Sequence, residues 1–185
     1  MKKIFIAIAV LAVCALAACS DDQQTTWDEY TDWRELNDRW LDELKAKRNP
    51  DGTPYYTEII PRWNPGTYVL MHYFNDPAEN AGNLSPLYTS VVDVRYVGHD
   101  ANGAGFDSST LVTQYGRPGV ARFNVNSVIQ GWGIALERMH VGDTVELIVP
   151  YGAAYGSSIN SGVKPYSNLR FNIRLEDIYK YEARP

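Results

Sequence analysis

The spacing of apolar positions along this chain changes several times, and each change predicts an element. Ile4 to Ala18 is an unbroken apolar run. From Trp27 the period becomes threes and fours: Trp27, Tyr30, Trp33, Leu36, Trp40, Leu41 and Leu44 recur with charged residues between them, the pattern of an amphipathic helix. Thr26-Trp27-Asp28-Glu29 reads as a capping box and Asn49-Pro50-Asp51-Gly52 as a stop, so the helix is expected over 26–48. The stop separates it from the strand-forming part of the chain, which predicts an arm that the rest of the fold can do without. Residues 49–65, rich in Pro and Tyr, read as a connector with a short strand at Tyr55 to Ile60.

Beyond Thr67 the period shortens to two. Thr67 to Phe74, Leu87 to Gly98, Val120 to Val125, Thr144 to Pro150 and Leu169 to Ile178 read as strands, the last with Leu169, Phe171, Ile173 and Leu175 on one face. Asn75 to Pro86 and Ser108 to Gly119 are loops, and Asn102-Gly103 marks a hairpin turn. Between the third and fourth of these strands, Val128-Ile129-Gln130-Gly131-Trp132 closes an extended stretch. Gly131 permits a sharp turn there, and Trp132 opens a short helix reaching Met139. The expected fold class is α+β: a curved, mostly antiparallel sheet of five or six strands wrapped around one short helix. This domain covers 66–181 and comes after the N-terminal amphipathic helix.

Tyr96-Val97-Gly98, Phe106-Asp107-Ser108-Ser109, Val128 to Trp132, Tyr155-Gly156 and Phe171 occur in that order within residues 90 to 178. Together they resemble the FKBP-type peptidyl-prolyl isomerases. The resemblance implies an apolar pocket floored by Trp132, proline-containing polypeptides as substrates, and prolyl-bond isomerisation as the activity. It implies Tyr96, Phe106, Asp107 and Tyr155 as catalytic residues, and Val128, Ile129, Trp132, Val163 and Phe171 as substrate-binding residues. In the family's manner, the Tyr155 hydroxyl and the Ile129 backbone N–H would orient substrate carbonyls while Asp107 holds Tyr96. His72-Tyr73 also looks like the family's strand-end tyrosine. Tyr96 is preferred because it lies 10 residues before Phe106, room for a hairpin alone, whereas Tyr73 lies 33 residues before it.

Three departures from the family pattern are visible. Thr110 to Gly116 offers no basic residue to brace Asp107, which reads as a buried acid in need of partners, so Arg117 or Arg122 takes that part or the acid is held otherwise. The usual aromatic residue ahead of the pocket motif falls near Val120 or Ala121, which would widen one wall. The loop from Ser157 to Lys164 lacks the usual apolar pattern.

Composition narrows the compartment and the chemistry. Met1-Lys2-Lys3, the apolar run and Leu16-Ala17-Ala18-Cys19 resemble a bacterial lipobox, so 1–18 is expected to be a lipoprotein signal peptide, Cys19 the lipidated residue, and 19–25 a polar tether. The protein is then secreted across the inner membrane and lipid-anchored to the outer membrane, on its periplasmic or surface face. Cys14 leaves with the signal peptide, so thiol catalysis, cysteine zinc sites and internal disulfides are excluded. The 17 basic residues less Lys2 and Lys3 leave 15 against 22 acidic ones, a formal −7, which argues against a nucleic-acid partner.

His72, His99 and His140 stand apart in sequence, so no metal and no cofactor are expected. Ser108-Ser109 beside Asp107 lacks the strand-nucleophile-helix elbow of a hydrolase. Two function readings stand: a prolyl isomerase assisting protein folding in the cell envelope, or a catalytically inactive peptide- or glycan-binding surface lipoprotein of the same fold. Trp132, Tyr155 and Asp107 occurring together favour the enzyme. The aromatic stripe of the N-terminal helix either packs back on the domain or forms a homodimer face or partner-binding arm.

Overall fold

The computed structural model describes residues 26–113, 117–159 and 162–179. Cys19, the signal peptide and the tether lie outside the described residues. The described chain from Asp32 onward forms one compact unit; Thr26 to Thr31 belong to another. No helix among the described residues is long and apolar enough to cross a membrane.

Helix α1 (Thr31–Ala46) is followed by strands β1 (Thr57–Ile59) and β2 (Val69–Tyr73), a single turn α2 (Pro77–Asn80), then β3 (Val91–His99), β4 (Gly105–Ser108) and β5 (Ala121–Asn124). Helix α3 (Gln130–Leu136), β6 (Thr144–Val149) and β7 (Leu169–Tyr179) complete the chain. One seven-stranded sheet runs β1-β2-β6-β7-β3-β4, with β5 also pairing to β3, and every pairing is antiparallel. The count exceeds the expected five or six because Gly105–Ser108, expected only as the return of a hairpin, makes a ladder of its own with Val97 to His99.

Strand β3 organises the sheet. One edge pairs with β7 from Val91 to His99, while the other edge changes partner, β5 alongside Val91–Val94 and β4 alongside Val97–His99. Tyr96 falls in the gap between them. Ser109 fills the missing ladder position: its hydroxyl accepts from the Tyr96 N–H at 2.9 Å and its own N–H donates to the Tyr96 carbonyl at 3.0 Å. Ser109 is buried, so its hydroxyl is committed to a backbone that would otherwise be unsatisfied. The sheet curls round α3, whose Trp132, Ile134, Ala135 and Leu136 pack against Val69, Met71, Val145, Leu147 and Ile173 in the main core.

Helix α3 begins at Gln130, two residues before the expected tryptophan start, and Gly131 is helical with no positive φ. The glycine is needed for closeness instead of a turn: a Cβ there would overlap Val149 Cγ1, so α3 could not lie this near β6. The loop from Asn75 to Pro86 is held by Asp143, fully buried, whose Oδ1 accepts from Asn75 and Asn80 side chains at 3.0 and 2.9 Å and whose Oδ2 accepts from the His140 N–H at 2.7 Å.

The α1 stripe is turned onto its own sheet. Leu41 joins Tyr56, Leu70 and Ile148 in a second core on the outer face of β2 and β6. Trp33 Nε1 donates to Ser167 Oγ at 3.1 Å, and buried Asn37 accepts from the Asn168 N–H at 2.8 Å while its backbone carbonyl accepts from Asn168 Nδ2 at 2.9 Å. A helix tied by buried polar bonds is not the separable arm that the Pro/Gly stop predicts. The connector is structural as well, because β1 extends the sheet and the Tyr56 hydroxyl donates to Glu146.

Candidate active site

A cleft of about 230 Å3 opens where β3 changes partner, lined by Tyr96, Asp107, Phe123, Ser127, Val128, Ile129, Trp132, Tyr155 and Phe171. Its floor is the Trp132 indole, 4% exposed, met edge-on by three rings: Tyr96 at 5.0 Å and 87°, Phe171 at 5.3 Å and 89°, and Phe123 at 5.7 Å and 83°. Edge-to-face pairs of this kind each contribute about 0.5–1.5 kcal/mol beyond burial, so the floor is stiff. The indole Nε1 is buried with no hydrogen-bond acceptor among the described residues.

The wall beside Tyr96 depends on a second glycine. A Cβ on Gly98 would stand 2.8 Å from Phe171 Cε1 and 2.9 Å from Phe106 Cζ, so only glycine lets both rings close over β3. Phe106 packs against Phe171 at 5.6 Å and 80°, behind the lining. It buttresses the wall and is not among the lining residues. Val163 is likewise buried in the main core and does not line the cleft. Tyr73, the alternative to Tyr96, points elsewhere, its hydroxyl donating to the Arg138 carbonyl at 2.8 Å.

Polar groups are few and sit at the rim. The Tyr96 hydroxyl donates to Asp107 Oδ2 at 2.8 Å, and Asp107 Oδ1 accepts from the Ser108 N–H at 2.8 Å. Asp107 is exposed, not buried as its sequence neighbours suggest, because β4 is the edge strand and turns it outward at the mouth. Neither arginine reaches it. Arg122 forms a two-pronged pair with Asp93 at 2.6 and 2.8 Å, and Arg117 pairs with Glu176 at 2.9 Å. The acid is therefore held by one phenol and one backbone N–H.

Burial, and then the hydrogen bond to Asp107, push the Tyr96 hydroxyl well above the usual tyrosine range. Burial and then the Asp107 charge push Tyr155 up as well. Both phenols therefore stay protonated at neutral pH and remain hydrogen-bond donors.

Phe123 and Ser127 escape a reading from sequence alone. Counting along the chain puts the aromatic wall position near Val120 or Ala121 and leaves it unfilled; Phe123 fills it, in edge contact with both Tyr96 (5.9 Å) and Trp132. The alternation of β5 holds the signal, since Phe123 shares the parity of Ala121 and Val125, both buried. Among the described residues no group of three His, Cys, Asp or Glu side chains could hold a metal ion.

The sequence pattern of the FKBP-type peptidyl-prolyl cis-trans isomerases matches residues 83–176, just over half of the chain. The chain belongs to that family. It is 37% identical over 106 residues to the macrophage infectivity potentiator of Trypanosoma cruzi, covering 57% of this chain and 52% of that protein. It is 40% identical over 94 residues to the FKBP-type 22 kDa peptidyl-prolyl cis-trans isomerase of Escherichia coli strain K12, covering 50% and 43%. To the outer membrane protein MIP of Legionella longbeachae it is 36% identical over 118 residues, covering 63% and 48%.

The chain thus spans about half the length of these relatives, and less of others. The crystal structure of a peptidyl-prolyl isomerase from Pseudomonas syringae pv. tomato superposes with a TM-score of 0.62 at 26% identity, over 80% of this chain and 95% of that one. FkpA from Escherichia coli shares the fold at a TM-score of 0.64 and 22% identity, over 84% and 63%. The family match contains the whole cleft and leaves α1, β1 and β2 outside it.

Proposed function

We propose that this protein is a peptidyl-prolyl cis-trans isomerase assisting the folding of proline-containing polypeptides in the cell envelope. The observation that carries the reading is the form of the cleft: three aromatic rings set edge-on around the apolar Trp132 floor, with tyrosine hydroxyls confined to the rim. Rotation about a prolyl bond breaks no covalent bond and needs no nucleophile. Its barrier of about 18–20 kcal/mol comes from amide resonance, and the twisted amide has less charge separation than the planar one. An apolar cleft therefore favours the twisted state over the planar state more than water does.

In this reading Tyr96, Phe123, Trp132 and Phe171 enclose the proline ring, and Val128 and Ile129 form the rim it enters by. Phe106 supports Phe171 from behind. The Tyr155 hydroxyl and the Ile129 N–H donate to substrate carbonyls, and Asp107 fixes the Tyr96 ring. A protease-coupled assay on Xaa-Pro peptides tests it. The cis-to-trans step, which takes tens of seconds unaided at 25 °C, should become faster in proportion to protein concentration. A folded protein that gives no rate above background with any residue before the proline would leave the reading to an inactive peptide- or glycan-binding surface lipoprotein.

The envelope assignment rests on Leu16-Ala17-Ala18-Cys19, with lipidated Cys19 anchoring the protein to the outer membrane. Cys19→Ser should release it from the membrane fraction, and retention as firm as wild type would end the lipoprotein reading. A homodimer through α1 would have to use the exposed side of that helix, Asp32, Glu35, Arg39 and Glu43, since Leu41 and Asn37 already face the sheet. Sedimentation of Glu35→Lys/Glu43→Lys against wild type checks it.

A further inference from the structure

Three hollows adjoin one another through shared lining residues. The aromatic cleft shares Val128 and Ile129 with a second hollow of about 240 Å3, and the second shares Gln130 with a third of about 350 Å3 whose lining includes Asp38 and Leu41 of α1. Val128, Ile129 and Gln130 are consecutive residues leading into α3, so one stretch of backbone forms the common wall between each hollow and the next.

We propose that the second hollow binds the polypeptide flank that continues from the proline held in the cleft. The inference rests on the isomerase reading of that cleft. Continuity is the first argument, because chain leaving the cleft over Val128 and Ile129 enters this hollow directly.

Chemistry is the second argument. Trp63 and Tyr88, 62% and 59% exposed, line the hollow and are large aromatic residues left unburied by the fold. Facing the same space, the Gln130 and Glu137 side chains make no hydrogen bond or ion pair among the described residues. Two open rings for side chains, an amide able to both donate and accept, and an unpaired carboxylate match an extended peptide with apolar residues and a lysine or arginine. Trp63 comes from the segment between β1 and β2, outside the family match, so this chain's own addition supplies one wall.

The test is calorimetric binding of the full-length protein to a four-residue Xaa-Pro peptide and to two ten-residue peptides that extend it with Leu and Lys, one on each side of the proline. One extended peptide should bind at least tenfold tighter than the core. Trp63→Ala/Tyr88→Ala should erase that gain, with turnover of the four-residue peptide and the melting temperature unchanged, since both rings are largely in solvent. Glu137→Gln should lower the gain a few-fold, and only when the flank carries Lys.

Extended peptides that bind no tighter than the core, or a gain that survives the double variant, would overturn the proposal. Binding of a hexasaccharide that depends on Trp63 in place of the peptide gain would overturn it in favour of a glycan. The two readings fail separately: catalysis without any length gain removes the flank site alone, and a length gain dependent on Trp63 without catalysis removes the isomerase alone.

Discussion

Tyr96 and Tyr56 are both buried and each donates to a carboxylate, yet they have opposite surroundings. Tyr96 donates to Asp107 at the mouth of the aromatic cleft, and Tyr56 donates to Glu146 under α1. In both, burial and then the hydrogen bond push the phenol well above its usual range. The pair chemistry is the same, yet Tyr56 is closed over by Leu41, Leu70 and Ile148, with Tyr55 edge-on at 4.9 Å, whereas the Tyr96 ring faces open cleft and its acid stands in solvent. A perturbed tyrosine is thus no mark of a site by itself. What distinguishes Tyr96 is the unfilled apolar concavity around it.

The two pairs differ most in stability. Tyr56→Ala removes a ring from the small second core, where Leu41, Leu70 and Ile148 are held by the helix and the sheet and cannot close the space, so a loss of about 3–5 kcal/mol in urea unfolding is expected. Isomerase turnover per folded molecule should not change. A loss below about 0.5 kcal/mol, within the range of a surface substitution, would mean that β1 and β2 are held by their pairing to one another and to β6 alone.

Asn37→Ala probes the same side more gently. The substitution leaves the Asn168 N–H, fully buried, without its acceptor, at a cost of about 1–3 kcal/mol. Asn168 also accepts from the Tyr151 N–H at 2.8 Å, four residues before Tyr155, so the strain passes toward the cleft rim. A melting temperature lowered by several degrees with a small loss of turnover is expected. No change in either would restore the separable helix that the Asn49-Pro50-Asp51-Gly52 stop suggests.

At the cleft the effects move from stability to rate. Asp107→Ala and Tyr155→Phe remove polar groups at the rim and almost no packed volume, so each should lower kcat/KM about tenfold, equivalent to about 1.4 kcal/mol, with the fold intact. An equal loss of rate on Tyr56→Phe would erase the distinction between the two pairs.

The main strands are legible in the sequence because a sheet with one buried face writes its period into the chain, as Leu169, Phe171, Ile173 and Leu175 show. The cleft is legible in part, through residues whose types recur together: Trp132, Tyr96, Phe171 and Tyr155 line it. What stays hidden depends on contacts between distant segments. Phe123 is concealed because a wall position is defined by which ring meets Trp132 across the cleft, not by a count from Val128. Arg122 reads as a candidate brace for Asp107, but β5 pairs it beside Asp93 on β3, a register no spacing reveals. Asn37 reads as one more polar position of a helix, and only Asn168, 131 residues away, makes it a tie. Gly131 reads as a turn because the proximity of Val149 belongs to tertiary structure.

The smallest expected effect is on pH dependence, and it separates the two pairs by what they lose. Tyr56, Tyr96 and Tyr155 all titrate above their usual value, and Tyr73 is pushed up to about 12 by burial and then by the Asp143 charge. A raised tyrosine pKa means that the fold favours the neutral phenol. The associated stability is therefore complete below about pH 10, where the unfolded chain also holds its protons, and falls as pH rises beyond that. Denaturation midpoints should be flat with respect to these groups from pH 7 to about 9.5 and drop from there to about 12. Tyr56→Phe should flatten part of that drop without touching the rate, because it removes an ionisable group from a closed core. Tyr155→Phe should leave most of the drop in place and lower the rate equally at about pH 7 and about pH 9, since the hydroxyl it removes is protonated at both. A Tyr155 contribution to turnover that disappears between those two values would show an ionised phenol in that range and contradict the burial that keeps it neutral.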